Sequence, residues 1–199
     1  MAQPSDAPLF PPFSVIGPQF IAPYPLEITV DKYPCRHLVI TDSNHKIMLK
    51  VKPYDTTFHR QRILLDANDK PIAMLREKGE SKADSDMIFS AKTEHMIQFK
   101  TNVSMTLANK KNYSDDCDLR LKGSWSKKNC TIYMGDSSIA IAQYATDKFT
   151  VTIQPNMDYA CVIALLAIVD ATENSDEIKE GSSEVGGAVL DVCNVLASS

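Results

Sequence analysis

The sequence predicts a mainly β protein, a barrel of about twelve antiparallel strands closed around one buried C-terminal helix. Three observations predict it: short alternating runs between residues 27 and 154, turn-forming residues between those runs, and one later segment that is apolar on every side.

The elements follow in chain order. Seven of the eleven prolines (Pro4, Pro8, Pro11, Pro12, Pro18, Pro23, Pro25) fall in the first 25 residues, where they remove backbone donors and hold the chain extended. Residues 1–25 therefore read as an arm. Its aromatics Phe10, Phe13, Phe20 and Tyr24 are expected to pack on the body, with a protein partner as the alternative.

Strand runs are expected near 27–30, 36–41, 46–52, 61–66, 71–76, 86–90, 95–100, 103–108, 117–124, 130–134, 138–143 and 148–154. In Lys46-Ile47-Met48-Leu49-Lys50-Val51-Lys52 the odd positions are apolar and three even ones are lysine, so one pleat face is dry and the other wet. Asp118–Lys122 and Lys148–Gln154 alternate in the same way. Asp42-Ser43-Asn44-His45, Asp66-Ala67-Asn68-Asp69-Lys70 and Gly135-Asp136-Ser137 offer the side chains that close tight reversals. So many strands in one domain favour a closed barrel, which has no exposed edge.

After Pro155 the period changes. Tyr159 to Val169 holds eleven residues without a strongly polar side chain, bounded by Asp158 and Asp170. A helix apolar all round must be enclosed, and this run is too short for a membrane span of about 20 residues. Threading the barrel encloses it. The remaining 173–199 reads as an acidic, mobile tail with a loose helix over 185–196. The organisation is an arm (1–25), a barrel domain (26–172) and a tail (173–199).

Composition fits a soluble, folded chain: 44% hydrophobic and 23% charged residues over 199 positions. The start Met1-Ala2-Gln3-Pro4 has neither the basic start nor the apolar run of a secretory signal, so a cytoplasmic protein is expected, peripheral at a membrane or partly nuclear. The N-x-S/T triplets at Asn102, Asn112 and Asn129 then read as chance. Five cysteines (Cys35, Cys117, Cys130, Cys161, Cys193) without a C-x-x-C favour reduced thiols. The net charge of −4 hides an asymmetry: residues 32–148 hold 20 Lys+Arg against 14 Asp+Glu, and the rest holds 1 against 11. A basic body with acidic ends suits anionic surfaces, a solvated face being the ordinary alternative.

Three segments match a known family in order: Arg62–Asp66 with Pro71–Lys78, then Cys117–Trp125, then Phe149–Ala160, with Ala22-Pro23-Tyr24-Pro25 upstream. Over residues 21–172 the chain resembles the plant LURP-one-related proteins. The resemblance implies a tubby-like fold, a twelve-stranded barrel around a hydrophobic helix shared with tubby proteins and phospholipid scramblases. It also implies a link to plant defence, and phospholipid binding or a membrane-tethered regulator of the kind that acts on transcription. The chain departs from the family at Ser81–Phe89, where members carry a tryptophan, and between Gln143 and Phe149, which is shorter than usual.

No nucleophile elbow, H-E-x-x-H, Walker loop or G-x-G-x-x-G occurs, so no catalytic residue and no cofactor are expected. His37, His45, His59 and His95 are not at metal-ligand spacing, and Asp115-Asp116-Cys117-Asp118 lacks the ligand pattern of a calcium loop. The chemistry-bearing pattern is paired cations at i and i+2: Lys50 with Lys52, Arg60 with Arg62, Arg76 with Lys78, and Arg120 with Lys122. Strand periodicity puts each pair on one face, outward for the first and last. Converging, they would bind anionic phospholipid headgroups, phosphoinositides among them; otherwise they keep strands soluble. A scaffold using the arm and tail is the second reading, and nucleic-acid binding is disfavoured for want of a stacking motif.

Overall fold

The computed structural model describes residues 10–54, 61–77, 86–96, 100–108, 117–124, 127, 129–145, 148–176 and 189–194. Among them twelve strands form one closed antiparallel barrel. In chain order these are β1 Leu26–Tyr33, β2 His37–Asp42, β3 Ile47–Tyr54, β4 Gln61–Asp66, β5 Pro71–Glu77, β6 Met87–Met96, β7 Lys100–Leu107, β8 Leu119–Ser124, β9 Asn129–Met134, β10 Ser137–Ala145 and β11 Lys148–Ile153, then helix α1 Tyr159–Asp176 and β12 Val189–Asn194. Around the barrel the order is β1-β11-β10-β9-β8-β7-β6-β12-β5-β4-β3-β2.

The pleat explains the core. In β3 Leu49 and Val51 point inward and are buried, while Lys50 and Lys52, alternating with them, point out. Leu119 and Leu121 of β8 alternate with Arg120 and Lys122 in the same way. A twelve-stranded ring is wider than one that side chains alone can fill, and α1 occupies the space. Every residue from Ala160 to Asp170 is buried. Contacts of α1 with Arg62 of β4, Lys32 of β1 and Met105 of β7 reach widely separated parts of the wall, so the helix runs through the middle. Each large apolar side chain enclosed in this way contributes about 1.5–3 kcal/mol.

Two aspartates fix the helix at its ends. Asp158 accepts the N–H of Cys161 at 3.0 Å, capping the helix, while its other oxygen accepts the N–H groups of Val15, Ile16 and Gly17 at 2.9, 2.7 and 3.2 Å. The arm is thereby tied across one mouth of the barrel. Phe13 bridges Met157, Ile21 bridges Asp158, and the Asn156 amide donates to the Phe10 carbonyl. Phe20 is buried and meets Tyr159 edge-on at 5.6 Å, so the arm aromatics pack mainly on the body; Tyr24 stays exposed. At the other mouth the buried Asp170 receives Lys32 Nζ at 2.8 Å and Arg62 Nη1 at 3.1 Å.

The strand count comes out at twelve by a different route from the one the sequence suggests. The runs near 86–90 and 95–100 are not two complete strands: Met87–Met96 is one strand, and Lys100 begins β7. Thr93, 2% exposed, takes an inward position where an apolar residue would have made the run continuous to the eye. The twelfth strand is β12, between β5 and β6, in the stretch expected to be a loose helix. Its outward Asp191 and Cys193 are buried along with its inward Leu190 and Val192, so no wet and dry alternation marks it. The helix also runs beyond Val169, to Asp176.

Candidate functional site

The structure separates the paired cations instead of gathering them. β3 and β8 lie six strands apart in a ring of twelve, so Lys50 and Lys52 stand on the wall opposite Arg120 and Lys122. Arg62 turns into the barrel, 4% exposed, where it donates to the Ala167 carbonyl at 2.8 Å and pairs with Asp170. A cation near the C-terminal half of a helix is favoured by the helix dipole, and Asp170 balances its charge in the apolar interior. Arg62 therefore belongs to the core and not to an outer anion site. Arg76 faces outward on β5 and donates from Nε to Cys193 Sγ at 3.2 Å. Arg60 and Lys78 lie outside the described residues.

The β3 pair shares one carboxylate. Lys50 and Lys52 donate to the two oxygens of Asp69 at 2.8 and 2.6 Å. Those two hydrogen bonds, Lys50 first, hold the Asp69 carboxyl at about 2. Asp69 thus balances one of the two positive charges of this pair and holds both ammonium groups in place.

The β8 pair has a different setting. Arg120 and Lys122 are exposed, Arg120 donating from Nε to Cys117 Sγ at 2.9 Å and Lys122 lying 5.8 Å from the centre of the Tyr133 ring. Across β7 the register places Arg120 beside Ser104 and Lys122 beside Asn102, and Ser104 in turn beside Lys92 of β6. Lys92 is exposed as well. At ~4.8 Å per strand, Lys92 and Arg120 are one phosphate-bearing headgroup apart with Ser104 between them, while Asn102 stands between Lys122 and the register position of Glu94. Lys92 escapes notice in sequence because it has no cationic partner two residues away. Its neighbours appear only when β6, β7 and β8 are paired.

Two groups at the start of α1 have shifted titration, the buried Cys161 and the partly buried Tyr159. Burial, and then the nearby Asp158 charge, push the Cys161 thiol well up, and the same two causes raise the Tyr159 phenol. Cys161 is a core thiol packed on Met105. Among the described residues no helix is long and apolar enough to cross a membrane.

A closed antiparallel barrel threaded by a hydrophobic helix defines a tubby-like protein. The chain belongs to the LURP-one-related family, whose sequence model matches residues 28–170. It is 32% identical over 189 residues to LURP-one-related 15 of Arabidopsis thaliana, covering 81% of this chain and 87% of that one. LURP-one-related 13 of the same plant is 33% identical over 168 residues, covering 78% and 88%. An Arabidopsis thaliana protein solved by X-ray crystallography superposes with a TM-score of 0.64 at 30% identity, over 80% of this chain and 98% of that one.

Proposed function

We propose that the protein is a non-catalytic regulator that attaches peripherally to anionic phospholipid through the outer wall of β6, β7 and β8. One observation carries this reading: Lys92, Arg120 and Lys122 stand exposed on neighbouring registers, with uncharged Ser104 between Lys92 and Arg120 and uncharged Asn102 beside Lys122. Arginine and lysine so spaced suit phosphate oxygens, the first as a fork and the second as a point charge. A link to plant defence comes with the family. The scaffold reading draws less support, since Phe10, Phe13 and Phe20 are engaged on the barrel.

Co-sedimentation with phosphatidylserine-containing vesicles at low and physiological salt tests it. Arg120→Ala/Lys122→Ala should weaken binding roughly tenfold or more, at about 1 kcal/mol per cation near an anionic surface. Undiminished binding by that variant would remove the wall from the function.

A further inference from the structure

We propose that β12 is an exchangeable strand: it leaves its slot between β5 and β6 and enters the same slot in a second copy of this chain, giving a strand-swapped dimer. Three features of β12 lead there, and none depends on the lipid-binding reading.

The first is topology. Each of β1 to β11 pairs with a strand that adjoins it in the chain, so a connecting turn or loop secures at least one of its sides. β12 has no such neighbour. It pairs with β5 over Leu190–Asn194 and with β6 over Val189–Cys193, both distant in sequence, and its register against β6 slips between Val192 and Cys193. Backbone pairing and the inward packing of Leu190 and Val192 are what keep it in the wall.

The second is a sealed carboxylate. Asp191 is 5% exposed and stands beside Arg76 of β5 and Ser90 of β6. Its Oδ1 nevertheless has no hydrogen-bond partner among the described residues, and Arg76 directs Nε to Cys193 Sγ instead. A carboxylate oxygen closed off from water without a partner opposes docking of the strand that carries it, and leaving the slot restores its hydration.

The third is the tether. The polar anchors of α1 come from β1, β4 and the arm, so the helix stays in place when β12 leaves. Residues 177–188 lie between the end of α1 at Asp176 and the start of β12 at Val189. Twelve residues span at most ~40 Å, enough to carry β12 out of its own wall and into a barrel that faces it.

The slot selects its occupant. β12 runs antiparallel to both β5 and β6, so those two strands run the same way, and a replacement must oppose both while setting apolar residues at alternate positions against α1. β12 of a second copy meets both demands in its own register. Each contact that one chain gives up is regained from the other, which leaves only association and the path of the tether to oppose the dimer.

Disulfide trapping reads the exchange, because Cys193 stands opposite Met74 of β5. Opposed positions of an antiparallel pair lie ~4.5–5.5 Å apart between Cα atoms, within reach of a disulfide. All chains carry Cys35→Ser/Cys117→Ser to remove the accessible thiols. With Met74→Cys added, a single chain should close the bridge internally, which establishes that the variant folds in this register. For exchange, a Met74→Cys/Cys193→Ser chain is incubated under reducing conditions with a chain that keeps Cys193, and the mixture is then oxidised with diamide. A covalent heterodimer on non-reducing gels, growing with protein concentration and incubation time, is expected. Asp191→Val in both chains should slow its appearance roughly tenfold, and an undiminished rate would overturn the role given to the carboxylate. An internal bridge without heterodimer overturns the exchange. So does a heterodimer that forms as readily when the second chain offers Cys117 in place of Cys193, since that reports collision.

Discussion

Lys32 and Asp170 meet at 2.8 Å, joining the first strand of the barrel to the helix that fills it. Arg62 approaches the same carboxylate from β4, so one buried aspartate gathers a cation from each of two strands and sets how far α1 slides into the ring. The three are not equal. Asp170 is fully buried and Arg62 nearly so, whereas the Lys32 side chain is 41% exposed. Asp170→Ala strands a buried guanidinium and should cost about 3–5 kcal/mol, while Lys32→Ala, screened by water, should cost about 1 kcal/mol or less. Urea denaturation ranks them; equal losses would show that the interior does not hold Arg62 and Asp170 as a pair.

Asp158 performs two tasks with two oxygens, capping α1 and holding three consecutive N–H groups of the arm. Asp158→Ala removes both and should destabilise by about 3 kcal/mol, the sum of a lost cap and weakened charge-assisted bonds. Asp158→Asn keeps an acceptor for one task and should fall between. Limited proteolysis should then cut the Asp158→Ala arm near residues 10–17 before it cuts the barrel. An arm as protected as in the unsubstituted protein would mean that Phe13 and Phe20 hold it without the carboxylate.

Alternation made the walls legible wherever one pleat face is wet, as in β3 and β8, and the unbroken apolar run Tyr159–Val169 announced a helix that had to be enclosed. β12 was not legible because both its faces are buried, and a strand without a wet face looks like any short apolar stretch. The outward direction of Lys50, Lys52, Arg120 and Lys122 could be read from spacing, but their placement on opposite walls could not, since that depends on the order of strands around the ring. Arg62 followed the pleat inward with Leu64, and only its meeting with Asp170 explains a cation on the dry face.

β12 closes the ring by pairing with β5 on one side and β6 on the other. A chain ending at residue 188 would leave two long edges unpaired beside an apolar helix, and it should aggregate or bind hydrophobic dyes in place of unfolding cooperatively. Within the full chain, Val192→Ala removes a fully buried side chain and should cost roughly 2 kcal/mol, whereas Asn194→Ala, exposed, should change stability by less than about 0.5 kcal/mol. Cooperative unfolding of the shortened chain at unchanged midpoint would make β12 an appendage.

Asp69 links the acid sensitivity of the fold to the charge carried by the β3 wall. Its carboxyl titrates at about 2 in the folded protein because Lys50 and Lys52 bond to the charged form. In the unfolded chain an aspartate titrates near ~3.9. A folded value below the unfolded one contributes stability that is complete above the unfolded pKa and is lost as pH falls through the folded one. Asp69→Asn should therefore flatten the loss of stability between about pH 4 and pH 2 and leave the neutral region little changed, as followed by urea midpoints at each pH. The same pairing makes a functional prediction. Because Asp69 balances one of the two β3 lysines and fixes both, Lys50→Ala/Lys52→Ala should weaken vesicle binding less than Arg120→Ala/Lys122→Ala does. Equal loss from the two opposite walls would instead point to diffuse attraction by the basic body as a whole.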